Sequence, residues 1–170
     1  GFSAKEGLLS KEGAFLLKTP MLQASMNKVI LVSSCLLGIA SRHDGRDAKN
    51  LKLIRSLKGS VIIPVCPEQL GGLPTPRKAA EIQKHDGKNV LKGAAKVLDE
   101  TGQDVTKQFI KGAKETFKIM RLNKAGAIYL KEKSPSCGVT LIKRNGKTVR
   151  GQGVSAAFLK SKGVKVKGVK

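Results

Sequence analysis

Short apolar runs alternate along the chain with segments whose apolar residues recur at helical spacing. The runs at residues 27–35, 60–66 and 125–132 have the length and aliphatic content of buried strands. Apolar residues return every three or four positions over 48–59 and again over 104–124, which predicts two helices. Strands that alternate with helices favour a parallel sheet. The pattern therefore predicts an α/β fold: a single-domain, Rossmann-like, open and mainly parallel sheet with helices on both faces.

The spacing of the apolar residues identifies the face of each predicted helix that is expected to be buried. On the longer helix these positions are Val105, Phe109, Ala113, Phe117 and Met120. On the shorter helix they are Leu51, Ile54 and Leu57, and Gly59 follows as a C-cap. Both sets of side chains are expected to contribute to the core.

The remaining segments are shorter. Three prolines and two glycines make 67–82 an ordered loop without a regular element. A short strand is expected at 94–99, and either a short hairpin or an extended excursion is expected around the Asn-Gly pair at 145–146. Residues 154–163 predict another helix, and residues 164–170 predict a last strand.

Residues 1–25 differ from the rest of the chain, because charged residues and a proline interrupt their apolar runs. They have no basic start followed by a clean apolar block, so they do not resemble a signal peptide. We interpret them as an N-terminal extension, such as a fusion remnant, ahead of a start near Met26. Residues 26–170 are then expected to form the single functional domain.

Composition narrows the partners and the compartment. The 170 residues carry a formal net charge of +21, which attracts nucleic acid or phosphorylated substrates. No stretch approaches the roughly 20 apolar residues of a membrane span, so no membrane association is expected. Three cysteines without a CxxC pair argue against a secreted disulfide framework, and we therefore place the protein in a reducing cytoplasm. The sequence leaves the oligomeric state open.

The three cysteines share a position relative to the predicted strands. Cys35, Cys66 and Cys137 each lie at the carboxyl end of an apolar run or in the loop after it. In an open parallel sheet these strand ends line the crevice where ligands bind. A single buried cysteine is more often a small hydrophobe than a ligand, but three at strand ends favour one shared site. Three thiolates suit a catalytic metal or an iron–sulfur cluster, and a thiol nucleophile with a resolving cysteine is the alternative.

Five segments carry a resemblance to a known family. They are ILVSSCLLGIASRHDG (30–45), PVCPEQLGGLPTPR (64–77), GQDVTKQFIKGA (102–113), LKEKSPSCGV (130–139) and GQGVSAAFLKSKGVKV (151–166). In order and spacing they resemble the thiouracil desulfidase family, also called the domain of unknown function 523 family. Many members carry a further cysteine where this chain has Ser41, and tyrosine is common where His43 stands. The residue at position 41 therefore cannot be an essential ligand here.

The resemblance implies a cofactor and a reaction. It implies a 4Fe-4S cluster held by Cys35, Cys66 and Cys137, with one iron that no protein residue ligates. That iron would bind the sulfur of a thiolated uracil base, nucleoside or nucleotide. Water would then replace sulfur at the ring carbon, which releases sulfide and a uracil-type product without net redox chemistry. Residues 26–170 would form a single iron–sulfur desulfidase-like domain.

Polar residues near the cysteines are candidates for catalysis and substrate binding. Glu68, two residues after Cys66, is the candidate for proton transfer that activates water and protonates the base. Ser134 is the favoured hydrogen-bonding contact to the ring, with Ser136 and Ser34 as weaker candidates. Serines in such turns more often bond to the backbone, which is the structural alternative for all three.

Charged residues add two further candidates. Arg42 and Asp44, in the loop after the first cysteine, either clamp the base or pair with each other. Lys131 and Lys133 are candidates for contact with the phosphate of a nucleotide, although exposure to solvent is the default for lysines in so basic a chain.

One face of the longest helix carries a row of basic residues. This basic ridge consists of Lys107, Lys111, Lys114, Lys118 and Arg121. The ordinary interpretation is that this helix face is exposed to solvent. The more specific interpretation is that it binds the phosphates of RNA. The alternatives to a small-molecule desulfidase are therefore a tRNA thiouridine desulfidase, a basic RNA-binding protein with structural cysteines, and a thiol redox protein.

Overall fold

The computed structural model describes residues 28–170. The predicted N-terminal extension, residues 1–25, lies outside the described residues. The assignment of residues 26–170 to one domain stays a prediction.

The described residues form eight strands, five α-helices and one short 3-10 helix. The strands are β1 (Val29–Ser33), β2 (Val61–Val65), β3 (Ala80–Ile82), β4 (Val97–Asp99), β5 (Ala127–Lys131), β6 (Leu141–Arg144), β7 (Lys147–Arg150) and β8 (Val166–Val169). The helices are α1 (Leu51–Ser56), α2 (Pro67–Leu70), α3 (Gly87–Leu91), α4 (Thr106–Leu122) and α5 (Val154–Ser161), and the 3-10 helix spans Ser34–Leu37.

Four parallel strands form the main sheet, in the order β2-β1-β5-β8. Alternate residues of the central strand β1 face opposite sides. Ile30 and Val32 pack with Leu53 and Leu57 of the α1 region, whereas Leu31 packs into the cluster that contains residues of α4 and α5. Helices therefore cover both faces of the sheet, and the predicted α/β class is confirmed.

Two antiparallel pairs stand beside the main sheet. Strand β3 pairs with β4, and β6 pairs with β7. The second pair is the hairpin predicted from the Asn-Gly dipeptide. Asn145 and Gly146 have φ angles of 49° and 71°, the left-handed values that this turn requires. Phe109 of α4, together with Ile82 and Ile142, packs both pairs into one core cluster.

The prediction of a loop without regular structure over 67–82 was wrong. Residues 67–70 form the one-turn helix α2, and residues 80–82 form β3. Pro67 occupies the first turn of α2, where a proline needs no amide hydrogen and has the φ angle that a helix requires. Helix α3 was also missed, because its five residues are too few to show a period.

The face predicted for the shorter helix was partly wrong. Helix α1 begins only at Leu51, after Asn50 caps it by accepting a hydrogen bond from the Leu53 amide. Leu51 is exposed, and Leu53 takes the buried position instead. The buried positions are Leu53 and Leu57, which lie one helical turn apart, and of these only Leu57 belongs to the predicted set. Among the described residues, no helix is both long and apolar enough to cross a membrane.

Candidate active site

A cavity of about 380 Å³ opens at the carboxyl ends of β1, β2 and β5. Its wall contains all three cysteines. Cys35 lies in the 3-10 helix after β1, Cys66 is the N-cap of α2 after β2, and Cys137 lies in the loop after β5. Parallel pairing of the three strands brings these ends side by side. We call this space the cysteine cavity; Ser34, Arg42, Glu68 and Ser134 also line it.

All three cysteines are free thiols in a largely buried setting. The Ser33 hydroxyl donates to Cys137 Sγ at 3.8 Å, and the Cys66 thiol donates to the Ser41 carbonyl at 3.6 Å. Burial raises the pKa of Cys35 to about 11 and also raises the pKa of Cys66 and of Cys137. Without a cation to replace the thiol protons, these groups stay protonated at neutral pH.

The described residues contain no group of three His, Cys, Asp or Glu side chains placed to hold a single metal ion. A single ion such as zinc holds its sulfur ligands at about 2.3 Å and therefore draws them close together. The three thiols instead surround a shared cavity. The three cysteines therefore share one site, as their positions at strand ends predict.

Helix α2 places Cys66 and Glu68 at the cavity. Its backbone packs against α4 where both helices carry glycine: a Cβ at Gly112 would overlap the Pro67 carbonyl, and one at Gly71 would overlap the Gln108 carbonyl. Gly71 thus makes room for the neighbouring helix. This close approach fixes the start of α2 and therefore the direction of Glu68.

Glu68 forms an ion pair that sequence reasoning missed. Its Oε2 accepts a hydrogen bond from Arg77 Nε at 2.7 Å, and both side chains are almost fully buried. The Arg77 guanidinium also donates to the Ser41 carbonyl and approaches Cys66 Sγ at 3.9 Å. Arg77 is the last residue of the PVCPEQLGGLPTPR segment, which carries part of the family resemblance. Its position in that segment was the sequence signal that could have identified it as a site residue.

The loop after β5 is organised around a buried carboxylate. Glu132 accepts hydrogen bonds from the amides of Val139, Thr140 and Leu141. These hydrogen bonds join the beginning and the end of residues 132–141, which we call the Cys137 loop. Glu132 was not predicted, because a glutamate next to Lys131 and Lys133 has the sequence pattern of a solvated turn.

Within the Cys137 loop the predicted serines differ in position. Ser134 lines the cavity, and its Oγ accepts hydrogen bonds from the amides of Ser136 and Cys137 at 3.2 and 3.0 Å. Ser136 is buried away from the cavity wall, and its hydroxyl bonds to Ser155 at 2.9 Å. The structure thus places Ser134 beside the cysteines and gives Ser136 a packing contact with α5.

The loop after Cys35 contains a second ion cluster. Arg42 lines the cavity and pairs with Asp44 at 2.8 Å, while Arg46 pairs with the same carboxylate at 2.9 Å. The Arg42 guanidinium holds the pKa of Asp44 well below its usual range. Asp44 is not part of the cavity wall. Of the two alternatives from the sequence, the structure shows the pairing.

Three lysines give the cavity a positive rim. Lys131, Lys133 and Lys143 line it, and none forms an ion pair with the described residues. Burial lowers the pKa of Lys131.

The five side chains of the basic ridge on α4 are all exposed. His85 is also exposed. His43 is exposed as well, but it lines the cysteine cavity.

A family model for 2-thiouracil desulfurase matches residues 30–169. The chain belongs to this family. The matched range covers every strand of the main sheet except the first residue of β1, and it contains all three cysteines. Membership confirms the resemblance found in the sequence and makes the protein a desulfurase-type enzyme.

Two relatives accompany the family match. Protein YbbK of Bacillus subtilis (strain 168) is 43% identical over 141 residues, which span 81% of this chain and 93% of YbbK. The solved structure of the 4Fe-4S-dependent thiouracil desulfidase TudS is 34% identical and superposes with a TM-score of 0.70. That alignment covers 84% of this chain and 91% of TudS. The family's fold is therefore present over almost the whole described part of the chain.

Proposed function

We propose that the protein removes sulfur from a thiolated uracil, as free base, nucleoside or nucleotide, and that Cys35, Cys66 and Cys137 hold a 4Fe-4S cluster for this purpose. One iron of this cluster would have no protein ligand. The observation that carries the proposal is the convergence of three cysteines, from three separate strand ends, on one cavity that Glu68 and Ser134 also line. The resemblance to TudS, which is 4Fe-4S-dependent, supports the same cofactor.

The residues present fit such a cluster. Thiolates are the ordinary protein ligands of iron–sulfur clusters, and metal binding replaces the protons that burial otherwise keeps on these thiols. The buried Ser41 hydroxyl lines the same cavity and has no hydrogen-bond partner among the described residues. It is a polar group available to a ligand in the cavity. When bound, the cluster would supply a Lewis acid for the soft sulfur of the substrate.

Glu68 is the proposed group for moving a proton. The ion pair with Arg77 occupies Oε2 and leaves Oε1 for other contacts. A carboxylate oxygen at the cavity is the group that would accept a proton from the water that attacks the ring carbon. The overall change exchanges C=S for C=O and converts water to hydrogen sulfide, so the oxidation states at carbon and sulfur do not change.

Ser134 is the proposed group for orienting the ring. Its oxygen already accepts two amide hydrogen bonds, and its hydroxyl hydrogen is therefore free to donate toward the cavity. A donor at this position would bind a ring oxygen or a ring nitrogen that carries a lone pair. Ser34 and Arg42 also line the cavity and are proposed as further substrate contacts. Asp44 and Ser136 are proposed to act only through the loops that they hold.

The lysine rim favours a substrate that carries a phosphate. Lys131, Lys133 and Lys143 surround the cavity without acidic partners among the described residues. A nucleotide would place its anionic group against this rim, whereas a free base would leave the rim unused. The exposed basic ridge favours the larger alternative, a thiouridine within tRNA, which would bind through its backbone phosphates.

The two other hypotheses receive less support. A redox thiol acts as a thiolate, and burial raises the pKa of all three cysteines, which makes each a poor nucleophile. A purely RNA-binding role does not explain why three cysteines line one cavity. The free thiols are consistent with the proposed reducing, cytoplasmic location.

Sulfide release tests the proposal. The protein is reconstituted without oxygen, using iron and sulfide, and is then given 2-thiouracil, 4-thiouridine monophosphate or thiolated tRNA. We expect sulfide from at least one of the three, with the monophosphate preferred over the base, and none from Cys137→Ser. The exposed-surface variant Lys107→Ala serves as the matched control for the two small substrates. A chain that binds no iron, or that binds it and releases no sulfide from any of the three, would contradict the proposed activity.

A further inference from the structure

Arg77 is the most completely engaged cation in the wall of the cysteine cavity. Only 6% of its side chain is exposed. Its Nε donates to Glu68, and its two terminal nitrogens donate to the carbonyls of Ser41 and Pro74 and to the hydroxyl of Thr75. The remaining contact joins Nη2 to Cys66 Sγ at 3.9 Å. A buried guanidinium with this many directed contacts fixes geometry that a flexible lysine could not.

We propose that Arg77 is a positioning residue for the desulfidase reaction, one that orients the Glu68 carboxylate and places a positive charge beside the sulfur of Cys66. This inference rests on the proposed function, because it assigns Arg77 to the same site. It differs from a structural role in that both effects act on the reacting groups.

The orientation of Glu68 follows from the contacts. Arg77 holds Oε2 at 2.7 Å, while Oε1 receives no hydrogen bond from the residues that the structure describes. One oxygen is therefore anchored, and the other remains able to accept from water in the cavity. Without Arg77, the carboxylate would lose both its counter-charge and its fixed rotamer.

The charge beside Cys66 follows from the same side chain. Nη2 of Arg77 lies 3.9 Å from Cys66 Sγ, so a guanidinium charge stands directly beside this sulfur. Hydrogen bonds and charge around cluster sulfurs are among the factors that set the reduction potential of iron–sulfur centres. A cation at Cys66 therefore raises that potential.

Arg77 also connects two of the cysteine-bearing loops. The Ser41 carbonyl, in the loop after Cys35, accepts from both Nη1 and Nη2 at 3.2 Å. The Cys66 thiol donates to the same carbonyl. One side chain thus sets the spacing between the segments that carry Cys35 and Cys66.

The test compares Arg77→Met, Arg77→Lys and the exposed control Arg55→Met in reconstituted protein. Iron and sulfide content, kcat and KM, and the reduction potential followed by electron paramagnetic resonance are measured for each. In Arg77→Met we expect kcat per bound cluster to fall about 10- to 100-fold, the usual effect of removing such a partner, with KM changed far less. The potential should become more negative. Arg77→Lys should restore the potential but not kcat, because an ammonium keeps the charge and loses the planar fork.

The outcomes separate this inference from the proposed function. A wild-type chain that holds no cluster overturns the proposed function and removes the basis of the inference. A wild-type chain that is active, together with an Arg77→Met variant whose kcat per cluster and potential are both unchanged, overturns the inference alone. If Arg77→Met does not fold, the Arg77→Lys variant provides the test. A kcat per cluster in Arg77→Lys equal to that of the wild type would overturn the proposed role of the planar guanidinium.

Discussion

The segments that carry Cys66 and Cys137 are held at the cavity in different ways. The turn from Cys66 to Leu70 depends on a side chain that follows it in the chain, Arg77, and on the close contact of α2 with α4. The Cys137 loop depends on its own Glu132, which binds the loop's backbone amides. The first segment is held by contacts between parts of the chain, and the second is largely closed on itself.

This difference indicates where the site can be adjusted and where it cannot. Arg77 is almost fully buried against Glu68, so its removal leaves a charge unpaired and should lower both stability and turnover, whereas a lysine there keeps the counter-charge. A buried carboxylate that satisfies several amides has no substitute nearby, so its loss should affect folding first. Four substitutions, in or against these two segments and in the loop after Cys35, sharpen the comparison.

The largest effect is expected for Glu132→Ala. It leaves the amides of Val139, Thr140 and Leu141 without their acceptor, and a buried unsatisfied group costs about 1–3 kcal/mol. We expect the free energy of unfolding to fall by about 3 kcal/mol or more in urea denaturation. Glu100→Ala removes an exposed glutamate and is the matched control. Equal stability of the two variants would show that the Cys137 loop is not held in this way.

A smaller loss is expected for Gly112→Ala. The new Cβ would overlap the Pro67 carbonyl and push α2 away from α4. Overpacking of this kind costs about 1–3 kcal/mol, and it should also lower iron retention because Cys66 and Glu68 move with α2. Gly126→Ala adds a Cβ with room around it and serves as the control. Thermal unfolding and iron content together check this prediction, which fails if both glycine variants behave alike.

Ser134→Ala removes the acceptor of two amide hydrogen bonds and should lower stability by about 2 kcal/mol, because each such bond contributes about 1 kcal/mol net. Its larger effect should be on turnover, because the hydroxyl that faces the cavity is lost while the cysteines remain. We expect wild-type iron content and a reduced kcat in the sulfide-release assay. Ser161→Ala removes an exposed hydroxyl that bonds only to the Phe158 carbonyl, and it should leave kcat unchanged. Full turnover in Ser134→Ala would remove this residue from the proposed mechanism.

The smallest effect is expected for Asp44→Asn, in the loop after Cys35. Its ion pairs with Arg42 and Arg46 are partly exposed, and such pairs contribute about 0.2–1 kcal/mol. Because the pKa of Asp44 is lowered in the folded state, its contribution is present above the unfolded pKa and is lost as the pH falls into the strongly acidic range. Wild type and variant should therefore differ slightly in urea denaturation at pH 7 and converge in strong acid. A constant difference at every pH would assign the effect to packing.

The sequence predicted the parts of this molecule that depend on local pattern. The strands that end near the cysteines, the hairpin turn and most of the buried face of α4 follow from short-range periodicity. Phe109, Ala113 and Met120 are buried as predicted, and Phe117 packs at the edge of the same core. Convergence of the strand ends then follows from parallel topology alone.

The features that the sequence did not reveal depend on contacts between distant positions or on very short elements. Arg77 meets the carbonyl of Ser41, 36 positions away, and no periodicity signals that contact. Glu132 resembles a surface glutamate until the Cys137 loop folds around it. Helix α2 has a single turn, so its prolines and glycines appeared to mark an irregular loop.

The distribution of the three cysteines over three strand–loop connections has a consequence for the maturation of the protein. No short peptide of this chain contains two of them, so no local segment can offer the complete ligand set. The set exists only after β1, β2 and β5 have paired. A cluster would therefore be delivered to an already folded apoprotein, and the fold itself must persist without the cofactor for as long as delivery takes.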